Sequence, residues 1–226
     1  MYDADYFATV DNSYKNFDIL RFKTVVDTVS CLGKGLICLD AGSGRGHYLD
    51  FLSGRFQKAI GLEYSKAGIR GSKKTVSKNP FLINGSLLEN LPFKDSSFDF
   101  ILCSETLEHL EKLDKVLSEL SRVLKSTGKL LVTVPNFTKL SFEYIREIVS
   151  YKDPTHIHRY PFSVWGSILS RHFKIEKVSS SSYAFSFPLF YAGLSVSALI
   201  NIESIIRKIP ILKELGRECI FILSKN

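Results

Sequence analysis

Short apolar runs recur along the chain, and the first two end in acidic residues. Leu36-Ile37-Cys38-Leu39 is followed by Asp40 and glycines, and Ala59-Ile60-Gly61-Leu62 ends in Glu63. Runs of this length, apolar at nearly every position, fit strands buried on both faces. Phe81-Leu82-Ile83, Phe98 to Cys103 and Lys129 to Val134 continue the series, and Phe173 to Val178 and Cys219 to Leu223 add two more. Between them the period changes. From Lys112 to Lys125 the apolar residues Leu113, Val116, Leu117, Leu120, Val123 and Leu124 step by three and four. That spacing forms one helical stripe, with Gly128 placed as its stop. Strands alternating with helices predict crossover units and a parallel sheet. The run Ser179 to Ser182 reads as a loop, and no internal repeat is present.

A chain of 226 residues suits one domain. Residues 1–30 read as an N-terminal helical extension, and 179–214 as an apolar insertion before the last strand. Hydrophobic residues make up 45% and charged residues 23%, which excludes disordered, collagen-like and coiled-coil chains. The net charge of +7 is spread out and mildly favours anionic partners. Cys31, Cys38, Cys103 and Cys219 have no CxxC spacing, so a reduced, cytoplasmic chain without a metal site is expected. Met1 to Asp5 is acidic and aromatic, without the basic and apolar regions of a signal peptide.

The segment Asp40-Ala41-Gly42-Ser43-Gly44-Arg45-Gly46 follows the first strand and opens a helix. Glycines there allow a sharp turn and close approach of backbone to a ligand, and free N–H groups at the helix start favour an anion. Glu63 ends the next strand, where a carboxylate can accept hydrogen bonds from ribose hydroxyls. The pair predicts a nucleoside-bearing ligand at the carboxyl edge of the sheet. The loop reads G-x-G-x-G, with His47 where the dinucleotide fingerprint has its third glycine, and no triphosphate-binding loop is present.

The chain resembles class I S-adenosylmethionine-dependent methyltransferases of the small-molecule type. The resemblance is carried by Leu39 to Gly46, Gly61 to Ser65, Asn84 to Leu110 and Ser121 to Asn136. It implies an α/β fold with a doubly wound seven-stranded sheet, order 3-2-1-4-5-7-6, the seventh strand antiparallel and helices on both faces. It also implies S-adenosylmethionine as cofactor, S-adenosylhomocysteine as product, and methyl transfer to a small, hydrophobic or lipid-like acceptor. Asp40, Ala41, Gly42, Ser43, Gly44 and Gly46 would border its methionine part. Glu63 would take the ribose hydroxyls, Tyr64 would pack beside the adenine, and Ser86 and Leu87 would meet the adenine edge. Ser104 would lie by the sulfonium, His109 would line the pocket, and Arg21 would pair with the cofactor carboxylate. An RNA or protein methyltransferase and a non-catalytic cofactor-binding member are the alternatives.

Methyl transfer from a sulfonium is an in-line displacement whose main demand is alignment at about 3 to 3.5 Å. A hydroxyl acceptor also benefits from a base, and the catalytic candidates are His156 and His158 in the loop Asp153 to Tyr160. Because they alternate, one of them faces the pocket. Lys58, Lys66, Arg70, Lys73, Lys74 and Lys78 cluster without aromatic neighbours for base stacking, and Ser104-Glu105-Thr106-Leu107 lacks a base-methylating signature, so no DNA partner is expected. Val178 to Ile202 carries no charge, but Pro188, Gly193 and the scattered polar residues Ser186, Ser195, Ser197 and Asn201 interrupt it, and the last strand must still return to the sheet. It reads either as core and homodimer interface, or as a lid over a greasy acceptor and a peripheral membrane contact through 183–209.

Overall fold

A computed structural model describes residues 17–32, 37–77, 80–138, 154–181, 193–206, 209 and 216–226. The elements run α1 (Phe17–Cys31), β1 (Ile37–Ala41), α2 (His47–Ser53), β2 (Lys58–Glu63), α3 (Lys66–Thr75), β3 (Phe81–Asn84) and β4 (Phe98–Ser104). A single 3-10 turn (Leu107–His109) follows, then α4 (Leu113–Val123), β5 (Leu124–Pro135), α5 (Phe162–Leu169), β6 (Phe173–Ser181), α6 (Val196–Ile206) and β7 (Glu218–Lys225). The seven strands form one sheet in the order β3-β2-β1-β4-β5-β7-β6. β1 to β5 pair in parallel, and β7 lies antiparallel between β5 and β6.

Alternate residues of each central strand serve opposite faces. Leu39, Ile101, Cys103, Leu130, Val132 and Phe221 join the layer that holds Val116, Leu117 and Leu120 of α4 and Trp165 of α5. Cys38, Phe100, Leu102, Leu131 and Ile220 join the layer with Val25 and Val29 of α1 and Leu49 and Leu52 of α2. Two hydrophobic layers on one sheet explain why the strands read as continuous apolar runs. Burial pushes the thiols of Cys38 and Cys103 far up, so both remain protonated packing groups.

Two sequence expectations are corrected. Gly128 does not stop α4. The helix ends at Val123, Leu124 is already extended, and β5 begins there with a register shift, so that Leu124 faces Phe98 and Lys129 faces Phe100. Gly128 lies within that irregular stretch, where a Cβ would stand 3.0 Å from the Phe98 carbonyl oxygen. The serine run is likewise strand rather than loop as far as Ser181. Ser179, Ser180 and Ser181 pair with Ile220, Cys219 and Glu218, and β7 supplies the order that serine propensity does not.

Residues 1–16 of the N-terminal extension, Lys78, Asp153 and half of the apolar insertion (182–192, 207–208 and 210–214) lie outside the described residues. No described helix is long and apolar enough to cross a membrane.

Candidate active site

The carboxyl ends of β1, β2 and β4 open on one cleft of about 490 Å³, at the point where successive crossovers leave β1 in opposite directions. Its size is within the about 300–1,000 Å³ of small-molecule sites. The turn after β1 is held by its neighbour: the amides of Gly42 and Ser43 donate to the Leu62 carbonyl at 2.9 and 3.1 Å. Gly42 adopts φ +83°, and a Cβ there would stand 2.5 Å from Thr106 Oγ1. Both the backbone and the space therefore require glycine. Ser72 Oγ donates to the Gly44 carbonyl at 2.8 Å and ties the loop to α3. That helix is capped by Ser65, whose hydroxyl accepts from Ala67 and Gly68.

Glu63 is the hinge of the site. Its Oε2 accepts from the Gly44 amide at 2.8 Å and its Oε1 from the Ser65 amide at 2.6 Å. A carboxylate offers about four acceptor positions, so two amides leave it capacity for ligand hydroxyls. Burial raises the pKa of Glu63 above its ordinary value, and the two amides oppose the rise. Asp40, beneath the glycine turn, is 2% exposed, and its Oδ2 has no hydrogen-bond partner among the described residues. Burial, and then the charge of Glu63, push the Asp40 carboxyl up to about 7. A cradle closed to any Cβ, a carboxylate fixed at its rim and a buried acid beneath it together fit a ligand with a vicinal diol and a positive charge.

The cleft brings together Gly42, Gly44, Glu63, Tyr64, Ser86, Leu87 and His109 among the residues expected from the sequence. Tyr64 is exposed and offers a free ring face, while Ser86 Oγ accepts from the Leu88 amide and Leu87 is buried. The loop carrying them is pinned from below. Arg122 of α4 donates to the carbonyls of Phe93 and Leu91 and to Glu119, and Glu119 in turn accepts from the Leu91 amide.

Other expected residues stand outside the lining. Asp40, Ala41, Ser43 and Gly46 support the turn from beneath or behind. Ser104 Oγ shares a 2.7 Å hydrogen bond with Thr133 Oγ1. Arg21 pairs with Glu105 at 3.0 Å and lies 3.6 Å from Glu218, so within the chain its guanidinium serves two carboxylates rather than the cofactor carboxylate expected for it.

The two histidines of the following loop have separate fates. His158 is fully engaged in the packing: Nε2 donates to the Leu110 carbonyl at 2.9 Å, Nδ1 accepts from the Tyr160 hydroxyl at 3.1 Å, and the ring stacks on Tyr160. With both nitrogens used it holds the loop together and does not stand as a base. His156 is buried, with its ring 4.8 Å from that of His109 and 6.3 Å from that of Phe137.

Sequence reasoning missed Leu62, Gly85, Leu88 and Glu89 of the lining and the residues following β4. Glu105 and Thr106 line the cleft, and Leu110 closes it beside His109. Glu105 adopts φ +48°, which no local pattern announces. The signal that could have found them is positional, since strand ends flanking the switch point form the ligand edge.

Comparison with known proteins agrees with this geometry. A family model described as a methyltransferase domain matches residues 39–132. The chain is 29% identical over 154 residues to an uncharacterized methyltransferase, YcgJ, of Bacillus subtilis, covering 65% of this chain and 59% of that protein. It is 30% identical over 137 residues to the ubiquinone/menaquinone biosynthesis C-methyltransferase UbiE of Haemophilus ducreyi, covering 55% and 51%. A crystal structure of a SAM dependent methyltransferase from Archaeoglobus fulgidus shares the fold with a TM-score of 0.70 at 19% identity, covering 97% of this chain and 100% of that one. The chain thus spans between half and three-fifths of the length of these two curated relatives. The seven-stranded order, the glycine turn clamped by the acid of β2, and the match over residues 39–132 together support a methyltransferase domain of the class I S-adenosylmethionine-dependent type within this chain.

Proposed function

We propose that the protein transfers a methyl group from S-adenosylmethionine to a small, largely apolar acceptor. The observation that carries this reading is the Glu63 clamp, in which one carboxylate orders the glycine turn and retains acceptor capacity at the mouth of the cleft. The bound cofactor supplies an electrophilic methyl carbon on a leaving group that departs as a neutral thioether. Glu63 holds the ribose, the rigid Gly42–Thr106 contact fixes the depth of entry, and Tyr64 and Leu87 flank the base. The chain's contribution is chiefly orientation, because the donor needs no further activation.

We assign the acceptor to the part of the cleft lined by Leu88, Leu110 and the ring of His109, and the carboxyl-bearing Glu89 and Glu105 also belong to the lining. Leucine walls with carboxylates among them suit a compact molecule better than a nucleic-acid strand, which would need a basic groove with stacking aromatics. The relatives named as quinone-biosynthesis methyltransferases support the same class of acceptor. Isothermal calorimetry tests the core of the reading. One S-adenosylhomocysteine and one S-adenosylmethionine should bind per folded chain, and label from methyl-labelled cofactor should pass into an organic-extractable product. A folded chain that binds neither overturns it, and label found only in RNA or protein overturns the acceptor class.

A further inference from the structure

Beside the cleft, Glu108, His109 and His156 converge from two separate segments. One ligating atom of each, a carboxylate oxygen or a ring nitrogen, lies within 4.8 Å of the other two. Resting on the reading above, we infer that these three residues form a binding site for one divalent transition-metal ion, facing the acceptor end of the cleft.

The donors are held before any ion arrives. Glu108 and His109 belong to the 3-10 turn after β4, and His156 to the loop before α5. The amides of Ile157 and His158 both donate to the Glu108 carbonyl, at 3.0 and 3.1 Å, and lock the loop onto the turn. His109 Nδ1 lies 3.0 Å from both the carbonyl oxygen and the hydroxyl of Thr155, and donation from Nδ1 to the carbonyl is the arrangement that leaves the lone pair on Nε2. That is the outer bond which orients metal-ligating histidines and sets their tautomer.

His109 Nε2 stands 3.7 Å from Glu108 Oε1. This exceeds the about 3.2 Å reach of a good N–H···O bond. It suits two atoms that share an ion, because ligands each about 2.0–2.2 Å from a metal are at most about 4.4 Å apart. The widest separation in the cluster, 4.8 Å, would have to close by roughly half an ångström. Glu108 is fully buried and the His109 side chain is 10% exposed, so the cluster is largely withdrawn from solvent.

Two imidazoles and one carboxylate suit ions such as Zn²⁺, Fe²⁺, Mn²⁺ or Co²⁺ and leave open positions. Because His109 also lines the cleft, an open position can meet the acceptor. This names the acceptor's reacting group as a hydroxyl. Its O–H bond breaks with the proton passing to water, the oxygen's pair forms the new bond to the methyl carbon, and the carbon–sulfur pair leaves with sulfur. The ion's part is to lower the hydroxyl's pKa, as it does for bound water. The role of base expected of a loop histidine then falls to the ion that His156 helps to hold.

The test uses chelator-treated full-length protein titrated with Co²⁺, read by equilibrium dialysis and by visible absorption. His156→Gln and Glu108→Gln are measured alongside, and S-adenosylhomocysteine binding serves as the control for folding. The inference expects one tightly bound Co²⁺ per chain, with d–d bands of nitrogen and oxygen ligation. Co²⁺ affinity should fall at least tenfold in each variant, while S-adenosylhomocysteine binding is kept. Absence of a Co²⁺ site in protein that binds S-adenosylhomocysteine overturns it, as does a site that survives both substitutions. Co²⁺ binding without S-adenosylhomocysteine binding would support the metal site and remove the cofactor reading instead. Should Glu108→Gln fail to fold, His156→Gln alone decides.

Discussion

Replacing Glu63 with glutamine separates the two jobs of that carboxylate. The side chain keeps its size but exchanges one acceptor oxygen for an NH2 donor. In the native structure both oxygens receive backbone amides, Gly44 at 2.8 Å and Ser65 at 2.6 Å. One of these amides must then face a donor. Leaving a buried N–H without its partner costs about 1–3 kcal/mol. For a chain of this size that lowers Tm by about 2–12 °C, at about 2–4 °C per kcal/mol. Ligand hydroxyls meanwhile lose a charged acceptor, worth about 1.5–3 kcal/mol, or roughly 10- to 150-fold in affinity. Thermal unfolding and calorimetric titration of S-adenosylhomocysteine, the latter well below both melting temperatures, measure the two losses separately. A Kd within about twofold of wild type refutes the assignment of Glu63 to the ribose. An unchanged Tm refutes the clamp itself.

Two further substitutions probe the ground beneath the site. Asp40, with its carboxyl pushed up from 3.8 to about 7, binds its proton more tightly folded than unfolded. The cofactor-free protein should therefore lose stability as pH rises from about 4 to 7, and Asp40→Asn should remove that slope and be the more stable form above pH 7. Urea midpoints across this range check it, and parallel curves for the two proteins would count against it. Gly42→Ala places a methyl group 2.5 Å from Thr106 Oγ1 at φ +83°. It should lower Tm by several degrees and weaken S-adenosylhomocysteine at least tenfold, at a cost of about 1–3 kcal/mol for strain of this kind. Calorimetry showing native affinity would mean that the turn does not set the depth of the cleft.

Much of the fold was legible because the central strands are buried on both faces and so write their positions as nearly unbroken apolar runs. The glycine turn and Glu63 were legible for a related reason: their chemistry depends on neighbours in the chain, one strand and one turn at a time. Gly128 misled because a glycine after a helical stripe looks like a stop, whereas the chain had already turned extended at Leu124 to pair with Phe98. The serines of β6 misled because serine has little preference for strand, and it was pairing with β7 that ordered them. Thr106 and Glu105 carried no local mark, since their importance lies in what β1 and α1 place against them.

The order of apolar runs, the permissive backbone at Gly42 and the acid at the end of the second strand are properties of short stretches of chain, and those the amino-acid sequence determined by itself. Which histidine meets which partner is not such a property. His109 reaches Thr155, 46 positions away, and His158 turns to Leu110, 48 positions away, only because the sheet has closed and α5 has packed behind it. The tertiary structure alone made one ring a packing element and set the other two beside a buried carboxylate, because the choice rests on contacts that form only after the strands have found their order.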